Sequence, residues 1–140
     1  MIKMSLESEL DNTDILKAEL VVRQIKHNPA EIVAIVQLSD GQIIFLEKGN
    51  LTSGLKHILE RHQEDFQNRG IAEDEIVSLI FQALQEDRLL GTQGKSRKIY
   101  EVYFKEQSQY LSIDIGTNGY IVSANPSPKK LVKRLKEEQT

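Results

Sequence analysis

Histidine titrates near neutral pH, so acid–base chemistry is first sought in Lys56-His57-Ile58-Leu59-Glu60-Arg61-His62. A helix turns about 100° per residue, which points His62 toward Leu55, Ile58, Leu59 and Phe66 and His57 almost the opposite way, near Lys56, Glu60 and Arg61. Five residues of helix also separate the pair by about 7–8 Å along the axis. In that geometry they neither grip one metal ion nor flank one small phosphate. A zinc protease would need histidines four apart with a glutamate beside the first. His62 is therefore expected to lie mostly buried in the core or a pocket wall, and His57 on the surface unless another element closes over it. His27 reads as a cation at the end of the first helix.

A second group is Lys95-Ser96-Arg97-Lys98-Ile99-Tyr100-Glu101-Val102-Tyr103. Cations alternating with tyrosines on an exposed strand would offer phosphate contacts and stacking surfaces together; lysines on such a strand also discourage edge-to-edge aggregation. Lys129, Lys130, Lys133, Arg134 and Lys136 alternate with Leu131, Val132 and Leu135, the pattern of a solvated amphipathic helix. No Walker loop or dinucleotide fingerprint is present, and the turn Gly116-Thr117-Asn118-Gly119 is too short to cradle phosphate.

The elements that must position these groups follow from periodicity. Ile15, Ala18, Val22 and Ile25 recur at helical spacing, with Leu16 and Val21 beside them. They predict a helix over 14–26, capped by Asn12 or Thr13 and stopped by Asn28-Pro29, with residues 5–10 an extra turn or a frayed end. Residues 31–47 read as a hairpin turning through Asp40-Gly41 in a type I′ geometry. Its strands are apolar on both faces, so both faces need cover, from the first helix or a partner subunit. Helices follow over about 54–67, capped by Thr52 or Ser53, and 73–87. Gly91 and Gly94 frame a loop before strands over 97–105, 110–115 and 120–124, and Ser127-Pro128 opens a basic helix to 138. The order α-ββ-αα-βββ-α predicts an α+β fold with an antiparallel sheet and helices packed on one side.

A chain of 140 residues fits a single domain. It divides into a helical extension (1–28), the hairpin (31–47), a central portion (51–127) and the basic helix (128–138). The absence of cysteine removes disulfides and thiolate chemistry and suits a reducing compartment. An acidic N-terminus and no long apolar run predict a soluble cytoplasmic protein without membrane partners. Charge is divided: residues 1–87 carry 8 basic and 16 acidic side chains, residues 88–140 carry 10 and 5. The basic third is either a face for a polyanion or a solvated surface attracted to the acidic part.

The run Leu55-Lys56-His57-Ile58 with Arg61-His62, a second amphipathic helix, and strands ending Gly119-Tyr120-Ile121-Val122-Ser123-Ala124-Asn125-Pro126 resemble the Barnase–EndoU–colicin–RelE superfamily. The likeness is to its phage- and polymorphic-toxin-associated nuclease branches and covers about residues 51–127. It implies an RNA-directed protein with RNA, including tRNA, as partner: a metal-independent ribonuclease without cofactor, or an inactive descendant. Cleavage would proceed by attack of a ribose 2′-hydroxyl on phosphorus. By the resemblance, His57 or His62 is the leading histidine, Arg97 neutralises phosphate, and Tyr100 or Tyr103 stands nearby. Thr117, Ser123 and Asn125 supply polar contacts. Lys56, Arg61, Lys95 and Lys98 are the accompanying candidates for substrate binding. The base is left open between Glu101 and Asp114. The rival expectation is a non-catalytic interaction module, or a homodimer, built on the N-terminal helix and hairpin.

Overall fold

The computed structural model describes the backbone of residues 2–139 and the side chains of residues 12–139. The chain runs α1 (Ile2–Val22), β1 (Ile32–Gln37), β2 (Ile43–Glu47), α2 (Leu55–Asn68), α3 (Ile76–Glu86), β3 (Arg88–Gln93), β4 (Arg97–Phe104), β5 (Gln107–Ile115), β6 (Ile121–Pro126) and α4 (Lys129–Glu138). This is the expected α+β arrangement with one further strand. β1 and β2 form a two-stranded antiparallel sheet, and β3-β4-β5-β6 form an antiparallel meander. No helix of the described residues is long and apolar enough to cross a membrane.

The added strand β3 occupies what reads in sequence as a glycine loop. α4 lies close over Gly91: a Cβ at that position would stand 2.9 Å from Leu135 Cδ2, which would have to shift. A register irregularity between Leu89 and Gly91 further hides the period-two pattern.

Alternation along β4 and β5 sorts their side chains onto two faces. Tyr100, Val102, Leu111 and Ile113 join the main core with Ile58 and Phe66 of α2 and Ile76, Leu79, Ile80, Ala83 and Leu84 of α3. Ile99 points the other way and packs with Leu131 and Leu135. Helices thus cover one side for α2 and α3, whereas α4 crosses to the opposite side. Its narrow Leu131–Leu135 stripe needs only the small apolar patch that Ile99 and Leu90 provide.

The hairpin resolves its two-sided apolarity as expected in kind. Ile44 and Leu46 enter the main core; Ile43 and Phe45 pack under Leu16 and Leu20 of α1. The face of α1 that does this is not the expected one. Leu16 is 4% exposed and Leu20 0%, while Ile15 is 62% and Val22 73% exposed. The helix carries two apolar stripes, and the hairpin selects the one with leucines four apart. The helix runs through Asn12 and Thr13 rather than starting there, and ends at Val22 before Gln24, whose φ is +58°.

The hairpin turn is also different in type. Leu38 donates to Gln42 O and Gly41 to Leu38 O, and in that turn only Gly41 has positive φ, +92°. This is a three-residue loop ending in a left-handed glycine, not the two-residue type I′ turn. The type I′ signature falls instead at Lys105 and Glu106, with φ of +52° and +64°, between β4 and β5.

Candidate functional site

Gly54, not Thr52 or Ser53, precedes the first turn of α2. The two hydroxyls are used elsewhere: Thr52 Oγ donates to Asn50 Oδ1 at 2.7 Å, and Ser53 Oγ bonds the Tyr120 hydroxyl at 2.9 Å. On that helix His57 and His62 meet, their ring centres 6.0 Å apart in an edge-to-face contact. Sequence geometry expects them to diverge, yet the rotamers of the two side chains bring the rings together. His57 Nδ1 donates to Leu51 O at 2.9 Å, and His62 Nδ1 faces Asp65 Oδ2 at 3.4 Å. His62 is a quarter exposed rather than buried. Lys56 and Arg61 are exposed on the same helix. His27 does not cap a helix: it lies beyond α1, Nδ1 on Ile25 O at 2.7 Å, its ring against Phe45.

The remaining sequence candidates are spread over the four-stranded sheet. Lys95 lies in the β3–β4 turn and Arg97 begins β4, across from Asp114, whose Oδ1 accepts from Ser96 Oγ at 2.5 Å. Lys98 pairs with Thr92 and Ile113. Ser123 stands opposite Asp114 and Asn125 opposite Ser112, which brings Arg97, Asp114 and Ser123 into one polar row. Tyr103 is 54% exposed near the far end of β4, and Thr117 is exposed in the β5–β6 turn. Tyr100 is no stacking platform: it is 2% exposed within the core, and burial, followed by the charges of Asp87 and Asp40, pushes its hydroxyl up to about 12. Among the described residues, no hydrogen bond, ion pair or ring contact links the histidines to Arg97, Tyr103 or Ser123. Among the described residues the sequence candidates thus form no single hydrogen-bonded group.

What does assemble is a cleft of about 850 Å³ between the end of α2, the start of β5 and α4. Spacings of four and three place Lys129, Lys133 and Lys136 along one side of α4. Arg69 faces them from just past α2, its Nη2 donating to Ser127 O at 3.2 Å and its carbonyl accepting from buried Gln109 at 3.3 Å. Ser127 fixes the floor: its N–H donates to Tyr110 O at 2.8 Å, and its hydroxyl, 0% exposed, bonds that of Ser112 at 2.8 Å. That role replaces the helix cap expected of it.

Lys136 Nζ is 2.6 Å from the Tyr110 hydroxyl and 3.7 Å from Glu101 Oε2. The hydrogen bond to Tyr110 first, then the charges of Tyr110 and Glu101, hold its ammonium above the ordinary lysine range against some desolvation. Four cationic side chains and the single carboxylate of Glu137 line the cleft, with the Tyr110 ring and Val132 among them. Such a surface can bind an anion that also presents a flat or apolar part. Sequence reading treats these lysines as a solvated stripe. Their spacing is a signal for one side of the cleft, but nothing in the sequence brings Arg69 and Tyr110 to the other.

No protein-family model matches the chain, and no curated protein matches it in sequence.

Proposed function

We propose that this protein binds RNA in the cleft between α2, β5 and α4. The observation that carries the reading is the opposition of Arg69 to Lys129, Lys133 and Lys136 across a cleft that an aromatic ring also lines. Cations spaced along a helix suit successive phosphates, and a ring among them accepts an unstacked base. The likeness of residues 51–127 to RNA-directed nucleases favours RNA among polyanions. Binding is proposed rather than cleavage because the cleft gathers four cations and an aromatic ring, while none of His57, His62, Glu101 and Asp114 lines it.

Fluorescence anisotropy with a short single-stranded RNA tests this. Neutralising about four phosphates gives a slope of log K against log salt near −3. Lys129→Ala with Lys133→Ala should weaken binding and flatten that slope by about 1.4, while Lys130→Ala with Arg134→Ala changes affinity less than about twofold. Failure to bind at low salt, or equal effects of the two double variants, would refute the assignment.

A further inference from the structure

The edge of β1 is open and lies in a groove. Among the described residues β1 pairs with β2 alone. Leu38 donates to Gln42 O, so alternation along an antiparallel ladder gives the β2 bonds to Val36 and Ala34 and turns the N–H and C=O of Ile35 and Gln37 to the free edge. Phe45, opposite Ile35, obeys the same alternation: its N–H leaves the hairpin and donates to Gly119 O at 2.9 Å. Beside β1 is a space of about 260 Å³ lined by residues 32–36 together with Thr13 and Lys17 of α1 and Phe81 and Gln85 of α3. α1 covers one face of the hairpin, and Val36 packs into the main core on the other. A space touching both helices and five consecutive strand residues, but no residue of β2, runs along the edge rather than over a face.

Open edges are normally blunted by proline, lysine or cover; Ile32-Val33-Ala34-Ile35-Val36-Gln37 contains no charge and no proline. We infer that this edge takes up an extended peptide from a partner protein as a third strand. The ligand chemistry follows from the groups present. Outward N–H and C=O groups of alternate residues are matched only by another extended backbone. Helices standing on both sides of the edge exclude a second copy of β1, which would bring its own flanking helices into collision. Lys17 at the rim makes no ion pair or hydrogen bond among the described residues and favours a carboxylate on the peptide. The occupant is an extended segment with apolar residues at alternate positions and an acidic side chain.

The test recovers peptides from a random decapeptide library displayed on phage, using the immobilised full chain, and then measures synthetic copies. In the free protein the Ile35 amide should exchange faster than those of Ala34 and Val36, and peptide should slow it at least tenfold. N-methylation of alternate peptide residues should weaken binding at least tenfold, and methylation of the intervening residues less than about threefold. Lys17→Glu should reverse the acidic preference of the recovered sequences. Recovery of no peptide, methylation effects without alternation, or an Ile35 amide unchanged by peptide would each overturn the inference. Concentration-dependent protection of Ile35 with dimer formation in sedimentation would replace the peptide by a second copy.

Discussion

Lys136 donates to the Tyr110 hydroxyl at 2.6 Å while its ammonium stands 4.7 Å from the centre of the same ring. The two distances together place the ammonium beyond the hydroxyl end of the ring, so the oxygen anchors it and the ring face stays open. The pair joins α4 to β5 on the cleft wall and separates two contributions to ligand binding, charge and ring surface.

Tyr110→Phe keeps the ring and leaves Lys136 charged at pH 7, so RNA affinity should change less than about twofold. Tyr110→Ala removes a stacking surface worth about 1–3 kcal/mol and should weaken binding accordingly, with the salt slope preserved. Anisotropy titrations at several salt concentrations distinguish the cases. A flattened slope in Tyr110→Ala would mean that the ring acts only by holding Lys136.

Tyr100 makes stability sensitive to alkali. Its folded value is about 12 against an ordinary 10, so the unfolded chain loses this proton first. The stabilising contribution is complete below pH 10 and is lost as pH rises from 10 to 12, by about 3 kcal/mol across that interval. Urea unfolding at pH 9 and pH 11.5 should show Tyr100→Phe losing less stability than the parent chain. Equal losses in both proteins would place the sensitivity elsewhere.

The β4–β5 turn holds two non-glycine residues, Lys105 and Glu106, in the left-handed region. Lys105 also reaches Glu75 at 3.0 Å, whereas Glu106 is exposed and makes no ion pair among the described residues. Glu106→Gly should therefore relieve the turn and raise stability by about 0.5–1 kcal/mol, read as a higher denaturant midpoint with unchanged slope. A lower midpoint would show that the chain-entropy cost of glycine outweighs the relief.

How far sequence reaches can be judged at α1, α2 and the cleft. For α2, Leu55, Ile58, Leu59 and Phe66 form a single stripe, and periodicity alone gives both its span and its inner face. Two stripes compete in α1, and only the hairpin beneath it decides between them. The histidine contact was illegible because helical angle fixes where Cβ points but not the rotamer that sets each ring. The cleft was illegible because Arg69, Tyr110 and the α4 lysines are brought together by α4 lying across the back of the meander. Leu135 of α4 sits against Gly91, a residue that reads locally as loop.

The two stripes of α1 give a direct measurement. Leu20→Ala, at a fully buried site over Phe45, should cost about 2–4 kcal/mol, and Ile15→Ala should lie within about 0.5 kcal/mol of the parent. Chemical denaturation of the two variants is sufficient. A large loss in Ile15→Ala would point to a contact that this exposed residue makes with another molecule.

The joint between the hairpin and the meander rests on Gly119, whose carbonyl accepts from Phe45 N–H. A Cβ there would fall 2.1 Å from the Ile43 carbonyl oxygen, and its φ is +90°. The consequence is one of permitted variation. Substitutions along the open edge of β1 and along the lysines of α4 touch separate parts of the molecule, so the two proposed surfaces, for peptide and for RNA, can drift independently under selection. Position 119 has no such latitude, since any other residue would pry the hairpin from the sheet and break the single frame that carries both surfaces.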